Sequence, residues 1–114
     1  MTCFILSTAT AVHAQLPNTA SVGFNNKTEL NVIIQGYTIV NGSKKYGTPL
    51  QLRKNGSKAF ESNVPGGVRY YTICDANNQA RVLLRDFPVL IQTRELSLDV
   101  IVAPNGRIVI MPAQ

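Results

Sequence analysis

"LSLDVIVAPNGRIVIMP", Leu96 to Pro112, is the stretch whose reading decides the fold. A three-residue loop Pro104-Asn105-Gly106, a type I turn closed by a glycine bulge, sets Val102 opposite Ile108, Val100 opposite Ile110 and Leu98 opposite Pro112. One face of the hairpin is then wholly apolar, and Glu95, Ser97 and Asp99 fall on the other. Alternation with period two belongs to an antiparallel strand that has one side on a core and one side in water.

The same pattern continues upstream. Turn clusters "NNKTE", "VNGS", "RKNGS", "NVPGG" and "DANNQ" punctuate β-rich runs at intervals of about ten to fifteen residues. No window carries a 3.6-residue apolar period, and there is no repeat, linker or low-complexity tract. The spacing predicts strands over 20–25, 30–39, 44–52, 58–62, 68–75, 80–86, 88–91, 95–103 and 107–111. The fold expected is all-β: an antiparallel β-sandwich of seven to nine short strands, immunoglobulin- or transthyretin-like in general architecture. Taking Asn41-Gly42 as a two-residue turn puts Tyr37 opposite Tyr46 and Ile33 opposite Leu50.

At 114 residues, 45% hydrophobic and 15% charged, the chain suits one domain with one core. Its start, "MTCFILSTATAVHAQ", is apolar and ends in the small-x-small pattern Val12-His13-Ala14. Residues 1–14 therefore read as a signal peptide, leaving 15–114 as a single secreted or periplasmic β-sandwich domain. No Lys or Arg precedes the apolar run, which points to a leader that begins further upstream. No other apolar run reaches the roughly 18 residues of a membrane span, so no transmembrane segment is expected. Cleavage would remove Cys3 and His13 and leave Cys74 as a lone thiol in a chain without histidine. Such a domain has no internal disulfide and must be held by its apolar core.

The closest approach to a catalytic constellation is "RYYTICDANNQARVLLRD", Arg69 to Asp86. With Asn77-Asn78 at the tip, Ile73 faces Val82, Tyr71 faces Leu84, and Arg69 faces Asp86 as an ion pair closing the core side. The other side carries Cys74 opposite Arg81, Thr72 opposite Leu83 and Tyr70 opposite Arg85, the last a cation–π pair. An arginine beside Cys74 would favour the thiolate, but a cysteine hydrolase also needs a general base, and the mature chain has no histidine. The acids Glu29, Glu61, Asp75, Asp86, Glu95 and Asp99 are scattered without the pairing that glycoside hydrolysis requires. Asp75 and Asp86, flanked by arginines, read as solvated ion pairs. Zinc ligands and a calcium loop are absent, so no metal, cofactor or enzymatic activity is expected.

Charge is the remaining handle. A net charge of +5 admits an anionic partner, and Lys44, Lys45, Arg53, Lys54 and Lys58 occupy one short window with no acid between them. This basic patch is the candidate binding site, for an acidic polysaccharide or for a surface protein. The plainer reading is that lysines at hairpin tips and edges keep strands from pairing with other chains. Nucleic acid is disfavoured, because the window holds only Tyr46 for base stacking. Sequons at Asn26, Asn41 and Asn55 are glycan acceptors in a eukaryotic host and turn chemistry otherwise.

From "VGFNNKTELNVIIQGY" through "YGTPLQLRKNGSKAF" to "NVPGGVRYYTICDANNQARVLLRD", the order of features resembles a set of small secreted bacterial proteins of unassigned activity. More distantly, "FNNKTELNVII" followed by a Pro-Gly turn and an aromatic strand is similar to the β domain of von Hippel-Lindau-type proteins. That resemblance implies a sandwich; the domain's tryptophans and its hydroxyproline-pocket serine and histidine have no counterparts here. The expected function is a non-catalytic binding module, monomeric or weakly dimeric. Two alternatives are a small hydrolase or enzyme-associated module using Asp75, Asp86 and Cys74, and an envelope protein that pairs through a sheet edge near 58–62.

Overall fold

The computed structural model describes residues 19–114, so the leader reading over 1–14, with Cys3 and His13, lies outside the described residues. Nine strands follow in chain order: β1 (Thr19–Asn26), β2 (Val32–Val40), β3 (Ser43–Tyr46), β4 (Leu50–Leu52), β5 (Ser57–Pro65), β6 (Gly67–Asp75), β7 (Asn78–Ile91), β8 (Glu95–Val102) and β9 (Ile108–Pro112). They form two packed sheets, as the turn spacing implied. The four-stranded sheet has the order β9-β8-β1-β5. The five-stranded sheet runs β3-β2-β6-β7, with β4 pairing the other half of β2.

The C-terminal hairpin has the expected register: Val102 faces Ile108, Val100 faces Ile110 and Leu98 faces Pro112. Gly106 has φ 84° and its N–H donates to the Ala103 carbonyl at 2.8 Å, as a type I turn with a glycine bulge requires. Tyr37 faces Tyr46 as expected, because Asn41 and Gly42 both adopt positive φ. Beyond Tyr46 the predicted strand 44–52 breaks. Gly47, Thr48 and Pro49 leave the ladder, and the resumed pairing sets Leu50 against Ile34 rather than Ile33.

The two short segments predicted over 80–86 and 88–91 are one strand, β7, and its register differs from the expected one. Ala76-Asn77 forms the turn, because the Asp75 carboxylate accepts the Asn77 N–H at 2.9 Å and starts an Asx turn one residue early. Bulges then slide the ladder, one of them at Asp86 with φ 52°. Ile73 faces Leu84, Cys74 faces Val82, Tyr71 faces Phe87, Tyr70 faces Pro88 and Arg69 faces Val89. The expected pairs Arg69–Asp86, Cys74–Arg81, Tyr70–Arg85 and their neighbours do not form. Pro88 is tolerated because β7 is an edge strand.

Between the sheets Val22, Phe24 and Val100 meet Val32, Ile34, Leu52, Tyr71 and Ile73. Phe24 and Tyr71 cross edge to face at 4.9 Å, joining the sheets at the centre. Asn26, fully buried, ties two of the chain's sheet-to-sheet crossings together. Its Nδ2 donates to the carbonyls of Leu30 and Arg53 at 2.8 and 3.0 Å, and its Oδ1 accepts from the Thr28 hydroxyl at 2.7 Å. With the amide so engaged, a glycan on the Asn26 sequon is incompatible with this fold.

Asp99, expected in water, is buried instead. Residues 27–31 leave β1 so that the Lys27 ammonium lies 2.9 Å from the Asp99 carboxylate. The Lys27 hydrogen bond outweighs desolvation and, with the Gln114 N–H, holds this carboxyl below its ordinary range.

Candidate functional site

Alternation along β6 sends Arg69, Tyr71, Ile73 and Asp75 inward and Tyr70, Thr72 and Cys74 outward, onto the exposed face of the five-stranded sheet. Register then builds rows of side chains across that face. Tyr46 of β3, Tyr37 of β2, Tyr70 of β6 and Pro88 of β7 stand side by side, four strands deep. At the strand spacing of about 4.8 Å this ladder of rings spans ~14 Å. Tyr37 stacks on Tyr70 with centroids 5.2 Å apart and meets Tyr46 at 5.4 Å. The Lys44 ammonium sits 4.8 Å from the Tyr37 ring centre, a cation–π contact in place of the expected one at Tyr70.

The bulge at Asp86 swings its carboxylate over the sheet, where it accepts the Tyr37 hydroxyl proton at 3.1 Å. Asp is one of the few non-glycine residues that tolerate this left-handed backbone. Burial, reinforced by the Asp86 hydrogen bond and charge, pushes the Tyr37 phenol above its ordinary value and keeps it a neutral donor. The Asp86 N–H in turn donates to the Thr72 hydroxyl at 3.1 Å. Alongside lies a groove of about 640 Å³. Gln35, Gln51 and Gln79 bring amides to it, Cys74 is half-buried in its lining, and Lys44 and Arg85 bring positive charge. On the hairpin side of the ladder, Ile39, Val68 and Leu90 are 51%, 45% and 53% exposed, so the face has an apolar border as well as a polar trough.

The inward side of β6 carries a feature that sequence reasoning missed. Arg69 reaches Glu61 of β5 across the sandwich, with its Nε donating to Oε1 at 3.0 Å and its Nη2 to Oε2 at 2.5 Å. The Tyr71 hydroxyl donates to Glu61 at 2.8 Å, and Arg69 Nη1 to the Thr38 hydroxyl at 2.7 Å. Burial alone would lower the Arg69 guanidinium, but the Glu61 hydrogen bonds and charge outweigh it and hold the group above its usual value. Desolvation and then Glu61 raise the Tyr71 phenol far above its own. Glycine makes the room: a Cβ on Gly47 would strike Glu61 and come within 2.5 Å of Arg69 Nη2, and one on Gly36 would lie 2.6 Å from the Tyr71 ring. One sequence signal pointed here. Phe60 and Glu61 are adjacent and must face opposite ways, and Gly23 in an apolar strand marks a close approach from outside. The Phe60 ring does pack over Gly23 on the outer face, which turns Glu61 inward.

The expected basic patch does not form one surface. Lys44 lines the groove, Lys45 borders a separate cleft at the side of the sandwich, and Lys58 lies on the outer face of the four-stranded sheet. Arg53 and Lys54 are exposed in the β4–β5 turn. Among the residues of the hydrolase alternative, Cys74 and Asp86 share the groove. Asp75 points to the opposite side, buried and bound to Arg81 at 3.3 Å, so the three do not converge. Asp86 is in no ion pair among the described residues; its partner is Tyr37, where a solvated pair with arginine was expected. Among the described residues there is no histidine and no group of His, Cys, Asp and Glu suited to a metal. No described helix is long and apolar enough to cross a membrane.

No family model and no curated protein matches this chain. A solved structure does: "NMR structure of the protein from Eubacterium rectale" superposes with a TM-score of 0.52 at 13% identity, covering 86% of this chain and 91% of that one. At that identity the likeness is one of fold.

Proposed function

We propose that this chain is a secreted or periplasmic, non-catalytic binding module whose contact surface is the outer face of the five-stranded sheet. The resemblance to small secreted bacterial proteins belongs to this reading; the similarity to the von Hippel-Lindau-type domain adds no binding residue to it. The observation that carries it is the Tyr46–Tyr37–Tyr70–Pro88 ladder, bordered by exposed Ile39, Val68 and Leu90 and flanked by Lys44. Within the ladder Tyr46 and Pro88 are exposed, Tyr70 is half-buried and Tyr37 is buried by its neighbours, so the accessible apolar groups are Tyr46 and Pro88 with Ile39, Val68 and Leu90. Proteins seldom leave such groups exposed together unless something covers them. Tyrosines held by neighbours lose little freedom on binding, which is why they recur at contact sites. The partner is a surface protein or an anionic glycan.

The hydrolase alternative loses support because the described residues include no histidine to activate Cys74, and Asp86, bonded to Tyr37 and Thr72, is positioned to hold the ladder in place. The sheet-edge alternative has an edge strand in β5, which carries Lys58 and a kink at Asn63 with φ 58°, both features that discourage pairing. Two measurements test the binding reading. A cell-envelope fraction from the source organism should retain the pure protein saturably, and Tyr46→Ala and Lys44→Gln should each release it. Nitrophenyl esters and glycosides should show no turnover that Cys74→Ala or Asp86→Asn abolishes; turnover lost in those variants would sink the binding-only reading.

A further inference from the structure

We infer that the groove beside the tyrosine ladder takes a polyanionic sugar chain, held by Lys44 and Arg85 and oriented by the amides of Gln51 and Gln79. This rests on the binding reading above and names the ligand class of the same face. Charge is the first support. Lys44 and Arg85 line the groove against a single carboxylate, Asp86. None of the ion pairs among the described residues includes either cation. Asp86 accepts a hydrogen bond from the Tyr37 hydroxyl and is in no ion pair with either cation, so the groove carries two cations against one carboxylate and is net positive. The outer face of the four-stranded sheet offers less: its hollow is about 220 Å³, Lys27 in it is bound to Asp99, and Lys58 is the single cation there outside the ion pairs among the described residues, against two in the groove.

Shape and donor chemistry are the second support. The groove's lining comes from four neighbouring strands, from Lys44 and Tyr46 on β3 across β2 and β6 to Arg85 and Asp86 on β7, and a trough crossing ~14 Å of sheet suits an extended chain better than a compact metabolite. Sugar rings present apolar C–H faces and vicinal hydroxyls. The exposed ring of Tyr46, 60% accessible, offers a surface for the former, and the exposed amides of Gln51 and Gln79 offer paired donors and acceptors for the latter. The Arg85 guanidinium matches a carboxylate or sulfate with two parallel hydrogen bonds, and Lys44 meets a second anion as a point charge. The ligand therefore alternates anionic groups with hydroxyls, as a uronate or sulfated glycan does.

The test is a backbone amide NMR titration of the protein with three probes: trigalacturonate, its methyl ester, and a sulfated heparin tetrasaccharide. Trigalacturonate should shift the signals of Tyr37, Thr72, Cys74 and Gln79. Lys44→Gln and Arg85→Gln should each weaken its affinity about fivefold to tenfold, while Arg53→Gln and Lys54→Gln leave it unchanged. Shifts at those same signals from the tetrasaccharide in place of the trimer support the inference and assign the anion to sulfate. Equal binding of the methyl ester, or no shift at the groove from any probe, overturns it. Retention by the envelope fraction is scored separately. Retention that needs Tyr46 but coexists with silent sugar titrations leaves the binding reading standing and removes the glycan; loss of both removes both.

Discussion

Strand β6 has two faces with opposite assignments. Inward, Arg69 and Tyr71 are buried against Glu61, and their polar atoms are engaged by partners inside the sandwich. Outward, Tyr70, Thr72 and Cys74 are half-buried and help form a surface whose groove cations are in no ion pair among the described residues. The charged residues of the strand, Arg69 and Asp75, are paired within the fold, and the outward residues that belong to the proposed contact surface are neutral. The difference teaches that a charge in a β-strand is not by itself a sign of the functional face. What matters is whether its partner comes from within the fold or from outside.

Breaking the inner face should produce the largest effects. Arg69→Ala leaves Glu61 buried and unpaired, and urea unfolding should register a loss of about 3–5 kcal/mol. Replacing the pair together, Arg69→Met with Glu61→Leu, should return most of that loss, since two apolar chains carry no desolvation cost. Next comes Gly47→Ala, which forces the Glu61–Arg69 pair aside and should cost about 1–3 kcal/mol by the same measurement.

Smaller effects sharpen the comparison. Tyr71 has its folded-state pKa raised above the ordinary 10.0, first by burial and then by Glu61. A raised value means the folded state holds its proton more tightly, so this contribution is intact below pH 10 and is lost as pH climbs beyond it. Tyr71→Phe should cost about 1 kcal/mol at neutral pH through the lost hydrogen bond, and its stability should fall less steeply in alkali. On the outer face, Tyr46→Ala should change unfolding free energy by no more than ~0.5 kcal/mol while releasing the protein from the envelope fraction. Smallest is Cys74→Ser, expected within ~0.5 kcal/mol of wild type. A small thiol reagent should label Cys74 without unfolding, and a ligand filling the groove should slow that labelling.

Much of the architecture was legible because it rests on local chemistry. Asn41-Gly42 and Asn105-Gly106 carry the positive φ angles that close hairpins, so Tyr37–Tyr46 and Val102–Ile108 could be paired on sight. The side of β6 on which Cys74 lies was legible too, since alternation survives a shift in partner register. The partners themselves were not. Asp75 started its turn one residue early and Asp86 added a bulge, so every pair expected across that hairpin moved. The basic window was close in sequence but dispersed in space, because strands β3 and β5 belong to different sheets.

The sequence by itself determined most of the strands and turns and the division of β6 into an inner and an outer face, all set by contacts between near neighbours along the chain. Only the tertiary structure decided that Arg69 answers Glu61 and that three tyrosines from three strands align. Those pairings depend on where the chain crosses between sheets and where a bulge resets the register, and such choices are settled by packing over the whole core.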